Sequence, residues 1–287
     1  MANDGDAYVS AVVSTNPLAP PLANDFGITK FDFVPDAQPQ TVIVTFDKLQ
    51  TLTINTGSQG DFIEQKNAPT VQNLNINTGE GFNTIDLVGL KGNVSISSLS
   101  DGDFINVRNS ENVTNLTINS GAGADNIKIS GVIAKDGNID AGIGENQLTI
   151  VNTQGIETIT AGSHKNVITL AGVHGTTVNL GDEGNRINLI ARTIESNVVV
   201  NTGSGDNEIF LDSANDNDTF TVNTGSGNDQ FRVNGENIKA AAKDNVILNG
   251  GGGDNLLEFR SAGNDIDNLI GRIKVKGENY GAVALLL

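Results

Sequence analysis

One repeated sequence motif limits the folds that this chain can adopt. Ten copies follow the same template, in which alternating apolar residues lead into Asn and a Gly-rich turn, then Asp or Asn, then a second alternating segment. The residue that ends each turn is Asp61, Asn83, Asp103, Asp125, Asn146, Asn166, Asn185, Asn207, Asp229 or Asp254, at intervals of 19 to 25 residues. Period-two alternation on both sides of a turn indicates two short strands per copy.

Neither strand of a copy can bury its apolar face alone, whereas stacked copies can. The pattern therefore predicts an all-β chain, a right-handed parallel β-helix of about ten rungs with 19–25 residues each. Ile54, Ile76 and Ile96 precede successive turns and are expected to form an inward aliphatic stack. The polar residue before each turn is expected to stack as a structural ladder, at Asn55, Asn77, Ser97, Asn119, Asp140, Thr160, Asn179, Asn201, Asn223 and Asn249.

The two ends of the chain depart from the repeat. Five of the six prolines precede the first copy, so residues 1–45 are predicted to form an N-terminal arm or cap, with a first strand in TVIVTF. The β-helix is predicted at 46–262, followed by a C-terminal cap and tail at 263–287. Within the tail we expect a short helix at 264–271 and strands in RIKVKG and AVALLL. The apolar end predicts burial against the rod or a sister subunit, hence a homo-oligomer, with a trimer as the natural arrangement.

Composition narrows the partners and the compartment. The formal net charge of −17 disfavours nucleic acid and anionic lipid surfaces. The chain has no cysteine, which excludes disulfides and thiolate metal sites. The first residues lack the pattern of a cleavable signal peptide, and no membrane span is expected. A place outside the cell would therefore be reached without a cleavable signal peptide.

The turns resemble the nonapeptide Gly-Gly-x-Gly-x-Asp-x-apolar-x of the RTX family. The similarity is clearest at 249–257, 224–232 and 120–128. The resemblance implies calcium between successive turns, held by Asp carboxylates and turn carbonyls. That family has two nonapeptides in each 18-residue coil, whereas this chain has one turn in each longer copy.

Two pairs of carboxylates are the candidate metal ligands. Asp103 with Asp125, and Asp229 with Asp254, place Asp at the turn end of adjacent copies. Asn replaces one or both elsewhere, and Lys165 lies in the sixth turn, so a continuous row of calcium ions is not expected. Local calcium binding at these pairs remains open, with no cofactor required. In the alternative, Gly supplies positive φ and Asp or Asn only closes the turn.

Catalytic chemistry has little support in the sequence. Glu64 and Asp86 would be neighbours on an outward strand face, at the separation of a retaining glycosidase pair. No further acid, base or aromatic platform accompanies them, since the chain has no Trp and two Tyr. His164 and His174 have no partner at metal spacing and are expected to be exposed in a turn and a loop. No catalytic residue is predicted.

These observations favour a non-enzymatic structural or adhesive protein. In overall plan the chain is similar to surface components of phage virions, such as capsid decoration or fibre proteins. This resemblance implies a place on a virion or another extracellular surface, and a protein partner for residues 1–45, such as a capsid, tail or surface scaffold. The alternative is a secreted RTX-like calcium-binding adhesin or surface-layer protein exported by a type I system. A polysaccharide-processing enzyme is less favoured. An ice-binding β-helix is disfavoured because the outward column Thr53, Asn75, Ser95 and Thr117 is mixed.

Overall fold

The structure is a computed structural model of the 287-residue chain. It describes residues 50–58, 60–65, 71–190, 196–213, 218–234 and 245–260, together with strands at 7–11, 28–32, 40–43, 273–276 and 280–286. The chain divides into two compact units, Met1–Gly142 (unit 1) and Ile143–Leu287 (unit 2). Each unit is described by itself.

All regular structure in the described part of the chain is β-strand. The strands of unit 1 are β1 (Ala7–Ala11), β2 (Ile28–Asp32), β3 (Gln40–Ile43), β4 (Thr51–Asn55), β5 (Phe62–Gln65), β6 (Asn73–Gly79), β7 (Thr84–Val88), β8 (Gly92–Ser98), β9 (Phe104–Asn119) and β10 (Asn126–Asp140). Those of unit 2 are β11 (Gln147–Ala161), β12 (Val167–Leu180), β13 (Arg186–Ile190), β14 (Asn197–Asn201), β15 (Glu208–Ser213), β16 (Thr219–Asn223), β17 (Gln230–Asn234), β18 (Asn245–Asn249), β19 (Asn255–Arg260), β20 (Ile273–Lys276) and β21 (Tyr280–Leu286). Among these residues no helix is long and apolar enough to cross a membrane.

Each unit contains two parallel ladders of strands, one on either side of the Gly-rich turns. In unit 1 the pre-turn ladder runs through β2, β4, β6 and β8 into the second halves of β9 and β10. Its post-turn ladder runs through β1, β5 and β7 into the first halves of β9 and β10. Unit 2 shows the same pattern of two ladders, from β11 and β12 to β20 and β21.

The predicted all-β parallel β-solenoid is confirmed, although the number of turns differs. The chain has about eight turns, whereas about ten rungs were predicted. The four long strands β9 to β12 each run from the end of one copy into the start of the next. Each of these strands therefore belongs to both ladders, to the post-turn ladder with its first half and to the pre-turn ladder with its second half.

The core lies between the two ladders. Strands show strict alternation of buried and more exposed residues, as in β4, β7 and β13. The predicted inward stack is confirmed, because Ile54, Ile76 and Ile96 are all buried. Burial of each such side chain contributes roughly 1.5–3 kcal/mol, so stacking of copies is the main stabilising force.

Both chain ends add strands to the solenoid. In the predicted arm, β1 pairs with β5 and β2 pairs with β4, while β3 coincides with the strand expected in TVIVTF. At the other end β20 and β21 coincide with the expected strands in RIKVKG and AVALLL. The helix predicted at 264–271 lies outside the described residues. The division into 1–45, 46–262 and 263–287 stays a prediction.

Candidate functional site

The Asp or Asn (Asx) that ends each turn points into the solenoid. In unit 1 the backbone N–H of Asp61 donates to Asn83 Oδ1 at 3.0 Å, that of Asn83 to Asp103 Oδ1 at 2.8 Å, and that of Asp103 to Asp125 Oδ1 at 2.8 Å. All four residues are buried. We call this column the Asx ladder of unit 1. The ladder gives the buried backbone N–H of each turn an acceptor, and an unpaired N–H there would destabilise the fold.

Unit 2 contains an Asx ladder built mainly from amides. Backbone N–H groups of Asn146, Asn166, Asn185 and Asn207 donate to the Oδ1 atom of the Asx one coil later, at 2.9 to 3.2 Å. The amides also donate. Asn185 Nδ2 binds the carbonyl oxygens of Glu183 at 2.6 Å and Gly181 at 3.3 Å. An amide therefore closes its own turn and joins neighbouring coils.

The last member of this ladder is Asn255, not Asp254 as the sequence indicated. Asp229 N–H donates to Asn255 Oδ1 at 3.0 Å, and Leu256 N–H donates to the Asp229 carbonyl at 2.8 Å. Asp254 is exposed, and its N–H donates to Asn228 Oδ1 at 2.9 Å. The predicted pairing of Asp229 with Asp254 is wrong by one residue, because the turn keeps a fixed length of six residues after the pre-turn Asn.

The other predicted pair, Asp103 and Asp125, consists of neighbours in the Asx ladder. Burial raises the pKa of Asp103 to about 6, and hydrogen bonds from Ser98 and Asn83 lower it by less. Burial also raises the pKa of Asp125, whose Oδ2 accepts a 2.7 Å hydrogen bond from Ser120 Oγ. Asp103 Oδ2 is buried and makes no hydrogen bond of normal geometry. This oxygen is the least satisfied part of the pair.

The donor set at this pair does not fit calcium. Asp103 Oδ1 and both oxygens of Asp125 already accept protein hydrogen bonds. Calcium takes about 6 to 8 oxygen ligands, and one carboxylate oxygen remains. Within the described ranges no group of three or more His, Cys, Asp or Glu residues is arranged to hold a metal ion. We therefore derive no metal chemistry at this position.

The pre-turn Asn column forms the predicted side-chain ladder wherever Asn residues are adjacent. Asn77 Nδ2 donates to Asn55 Oδ1 at 2.7 Å. In unit 2, Asn201 donates to Asn179 and Asn223 donates to Asn201, both at 2.8 Å. The Asn of the repeat thus bonds coil to coil on the outside, as the Asx ladder does inside.

The outward carboxylates Glu64 and Asp86 lie in direct register, as predicted. Asp86 is held by the Arg108 guanidinium, with Nε to Oδ1 at 3.2 Å and NH2 to Oδ2 at 2.8 Å. Asn106 Nδ2 adds a third bond to Oδ1 at 2.9 Å. Both oxygens of Asp86 are therefore engaged, which is unlike the arrangement of a nucleophile or general base.

On the post-turn side of unit 2, Phe210 is stacked between two arginines. The guanidinium carbons of Arg186 and Arg232 lie 4.7 and 5.1 Å from the ring centroid. Arg232 Nε also donates to Glu258 Oε2 at 2.8 Å. This row connects four coils through their outer side chains.

The two histidines are exposed and lie in different structural elements, one in a turn and one in a strand. His164 lies in a turn, where its backbone carbonyl accepts from Asn166 Nδ2 at 2.5 Å. His174 lies in strand β12, not in a loop as predicted. Its exposure agrees with the prediction.

Sequence reasoning missed a hydroxyl that accompanies each Asp of the Asx ladders. A Ser or Thr lies five residues before every such Asp, whereas only two of the six Asn members have one there, Thr78 before Asn83 and Thr202 before Asn207. At Ser120 the hydroxyl donates to the second oxygen of Asp125, whereas the hydroxyls of Thr56 and Thr224 donate to the backbone carbonyls of Thr78 and Asn249 in the next coil. The four hydroxyl residues are Thr56, Ser98, Ser120 and Thr224. Comparison of the ten copies would have revealed these four residues, because a Ser or Thr accompanies every ladder Asp.

Comparison of the chain with models of known families, with curated proteins and with solved structures gave no match. The similarity to the RTX nonapeptide therefore depends on the turn residues alone.

Proposed function

We propose that this protein is a non-enzymatic structural or adhesive solenoid displayed on an external surface. A virion component, such as a capsid decoration or fibre protein, is the first candidate. Residues 1–45 dock it to a protein scaffold, and the displayed solenoid is oligomeric.

The use made of the repeated polar residues is the observation that supports this proposal. The buried Asx residues bond one coil to the next through Oδ1, and the outer Asn residues do so through Nδ2. The repeated polar side chains thus bind successive coils to one another. A chain that devotes its repeated polar groups to its own cohesion has the properties of a rigid spacer or display element.

The outward carboxylates give the enzyme alternative little support. Glu64 and Asp86 are neighbours, but Asp86 is bound by Arg108 and Asn106. The calcium-binding adhesin is likewise less favoured, since the stacked Asp103 and Asp125 retain one carboxylate oxygen without a protein hydrogen bond.

Attachment of the full chain to a particle tests the proposal. The protein contains no cysteine, so Asn112→Cys at an exposed site allows a single fluorescent label. The labelled chain is mixed with purified virions, or with intact cells, from its source and then sedimented. We expect saturable attachment to one of them, and we expect deletion of residues 1–45 to abolish it.

Because β1 and β2 pair with the first coil, the deletion needs its own control. A shorter deletion of residues 1–6 keeps all three strands, and circular dichroism reports whether each variant retains its strands. If the 1–45 deletion unfolds, its failure to attach does not test the arm. The 1–6 deletion, and competition by excess unlabelled parent, then decide whether attachment is specific to the folded chain. Failure to attach to either target, or cleavage of acidic polysaccharides by the parent that Glu64→Gln abolishes, overturns the proposal.

A further inference from the structure

Five strands of the pre-turn ladder of unit 1, β4, β6, β8, β9 and β10, present an outward surface made almost entirely of neutral polar side chains. These five strands contribute three outward residues each, in the columns that begin at Thr51, Thr53 and Asn55. The middle column is Thr53, Asn75, Ser95, Thr117 and Asn138. We call these fifteen residues the pre-turn face. Thirteen are Thr, Ser or Asn, and the other two are Asp136 and Asp140.

This face is nearly uncharged in a strongly acidic protein. The chain carries a formal net charge of −17, and the two acidic residues of the face both lie in its last strand, β10, whereas the post-turn side of the same unit carries charges of both signs, at Glu64, Asp86, Arg108 and Lys128. Two acidic copies repel one another at most orientations, and the repulsion is weakest where neutral surfaces meet. The pre-turn face is therefore the place where a second copy can approach closely.

The polar groups of the face are partly satisfied within the face itself. Asn77 donates to Asn55 at 2.7 Å, and Asn93 Nδ2 donates to Asn73 Oδ1 at 2.7 Å. Asn73 Nδ2 in turn donates to Thr51 Oγ1 at 3.2 Å. Side chains bonded along a column lose less on removal from water than unpaired ones, and stacked Asn ladders can be covered by a second sheet.

Two exposed apolar side chains border the pre-turn face at the turns. Phe82 is 73% exposed and Leu99 is 63% exposed. A Cβ placed on Gly102 would lie 3.3 Å from Phe82 Cε1, so the ring lies across this glycine and stays at the surface. Aromatic and aliphatic side chains of this kind are typical anchors of protein interfaces.

The size of the surface agrees with a pairwise contact. Five strands about 4.8 Å apart and three outward positions about 6.8 Å apart cover roughly 490 Å² per copy, or about 1,000 Å² for two, which is the lower bound for a specific interface.

We propose that the pre-turn face, bordered by Phe82 and Leu99, binds the same face of a second copy in a two-fold symmetric dimer. The inference rests on the oligomeric part of the proposed function and names its surface.

Sedimentation velocity of the full chain over a range of concentrations tests the dimer. We expect the parent to dimerise and the double variant Asn75→Asp with Ser95→Asp to raise the dissociation constant at least tenfold, because each dimer would gain four facing negative charges. Asn112→Asp makes the same chemical change at an exposed position outside the face and should leave the constant unchanged. A monomeric parent, a double variant that still dimerises, or equal dissociation of the control overturns the proposal.

A cross-linking experiment avoids any effect of added charge on folding. Ser95→Cys lies at the centre of the face, and Asn112→Cys is its matched control in a chain without other cysteine. Copper–phenanthroline oxidation should cross-link the first variant and not the second. No cross-link at Ser95→Cys in a dimeric protein overturns the surface assignment. A monomeric parent that still attaches to virions or cells would overturn this inference and leave the attachment part of the proposed function in place.

Discussion

The Asx ladders of the two units perform the same task with different chemistry. In unit 1 three of the four members are carboxylates, whereas in unit 2 five of the six are amides. Both accept the backbone N–H of the preceding coil. The amide also donates, as Asn185 does to Glu183, and a carboxylate cannot. Asp103 and Asp125 therefore make the ladder of unit 1 sensitive to pH, and the amides do not titrate.

Removal of an amide from the ladder of unit 2 should have the largest effect. Asn185→Ala leaves the backbone N–H of Asn166 without its acceptor, removes one of the hydrogen bonds of Asn166 Nδ2 and leaves the Glu183 carbonyl without its donor. We expect a loss of about 3 to 5 kcal/mol in the free energy of unfolding in urea, since a buried N–H becomes unpaired and every other hydrogen bond of the Asn185 amide is lost. Asn188→Ala, on an outward position three residues later, should cost less than about 1 kcal/mol. Equal losses would show that the ladder contributes little.

Conversion of unit 2 to the chemistry of unit 1 should have a smaller and pH-dependent effect. Asn185→Asp keeps the acceptor for Asn166 but places a buried negative charge beside the Glu183 carbonyl, with Leu180 where a hydroxyl would be needed. We expect a loss of about 2 to 3 kcal/mol at pH 7.5 that is partly recovered at pH 5, because burial favours the protonated acid. Urea unfolding at both pH values measures it, and a pH-independent loss would contradict this explanation.

The reverse change in unit 1 should stabilise the protein. Because the folded pKa of Asp103 is raised to about 6 from 3.8, the folded state binds more protons between these values. Stability therefore rises as pH falls through this window and is lost as pH rises through about 6. We expect Asp103→Asn to add about 1 to 2 kcal/mol at pH 7.5 and to flatten the increase in transition temperature between pH 7.5 and pH 5.

Asp101→Asn is the matched control for this change. Asp101 is exposed in the same turn and accepts from Gly81 N–H at 3.1 Å, a bond that Asn can keep. The control should leave both stability and its pH dependence unchanged. A parent protein that loses stability on acidification from pH 7.5 to pH 5 would show that other groups dominate its titration.

Calcium should have the smallest effect in both units. A ligand that binds only the folded state adds about 2.7 kcal/mol to the free energy of unfolding when its concentration is one hundred times its dissociation constant. Since the oxygens of Asp103 and Asp125 are mostly bonded to protein groups, we expect no difference in thermal unfolding between excess calcium and EDTA. A shift that disappears in Asp103→Asn would instead establish a calcium site in unit 1 and restore the RTX-like alternative.

The sequence predicts the coil well and the chemistry of its corners less well. Strand alternation and the repeat interval are enough to predict the parallel pairing and the register of Glu64 with Asp86, because period and burial are coupled. The turn end at Asp254 was misassigned by matching a motif. Counting six residues from Asn249, as in every other copy, leads to Asn255. The raised pKa of Asp103 could not be foreseen, since it depends on burial that only the folded corner reveals.

The bonds of the Asx ladder all point in one direction along the chain. The N–H of Asp61 is bonded by Asn83, that of Asn83 by Asp103, and that of Asn185 by Asn207, so each corner is completed by residues that follow it. During synthesis from the N-terminus, a newly emerged coil therefore keeps an unfilled donor until the ribosome has delivered about one more coil. We expect the growing end to be the least stable of the coils that have formed at any moment of synthesis.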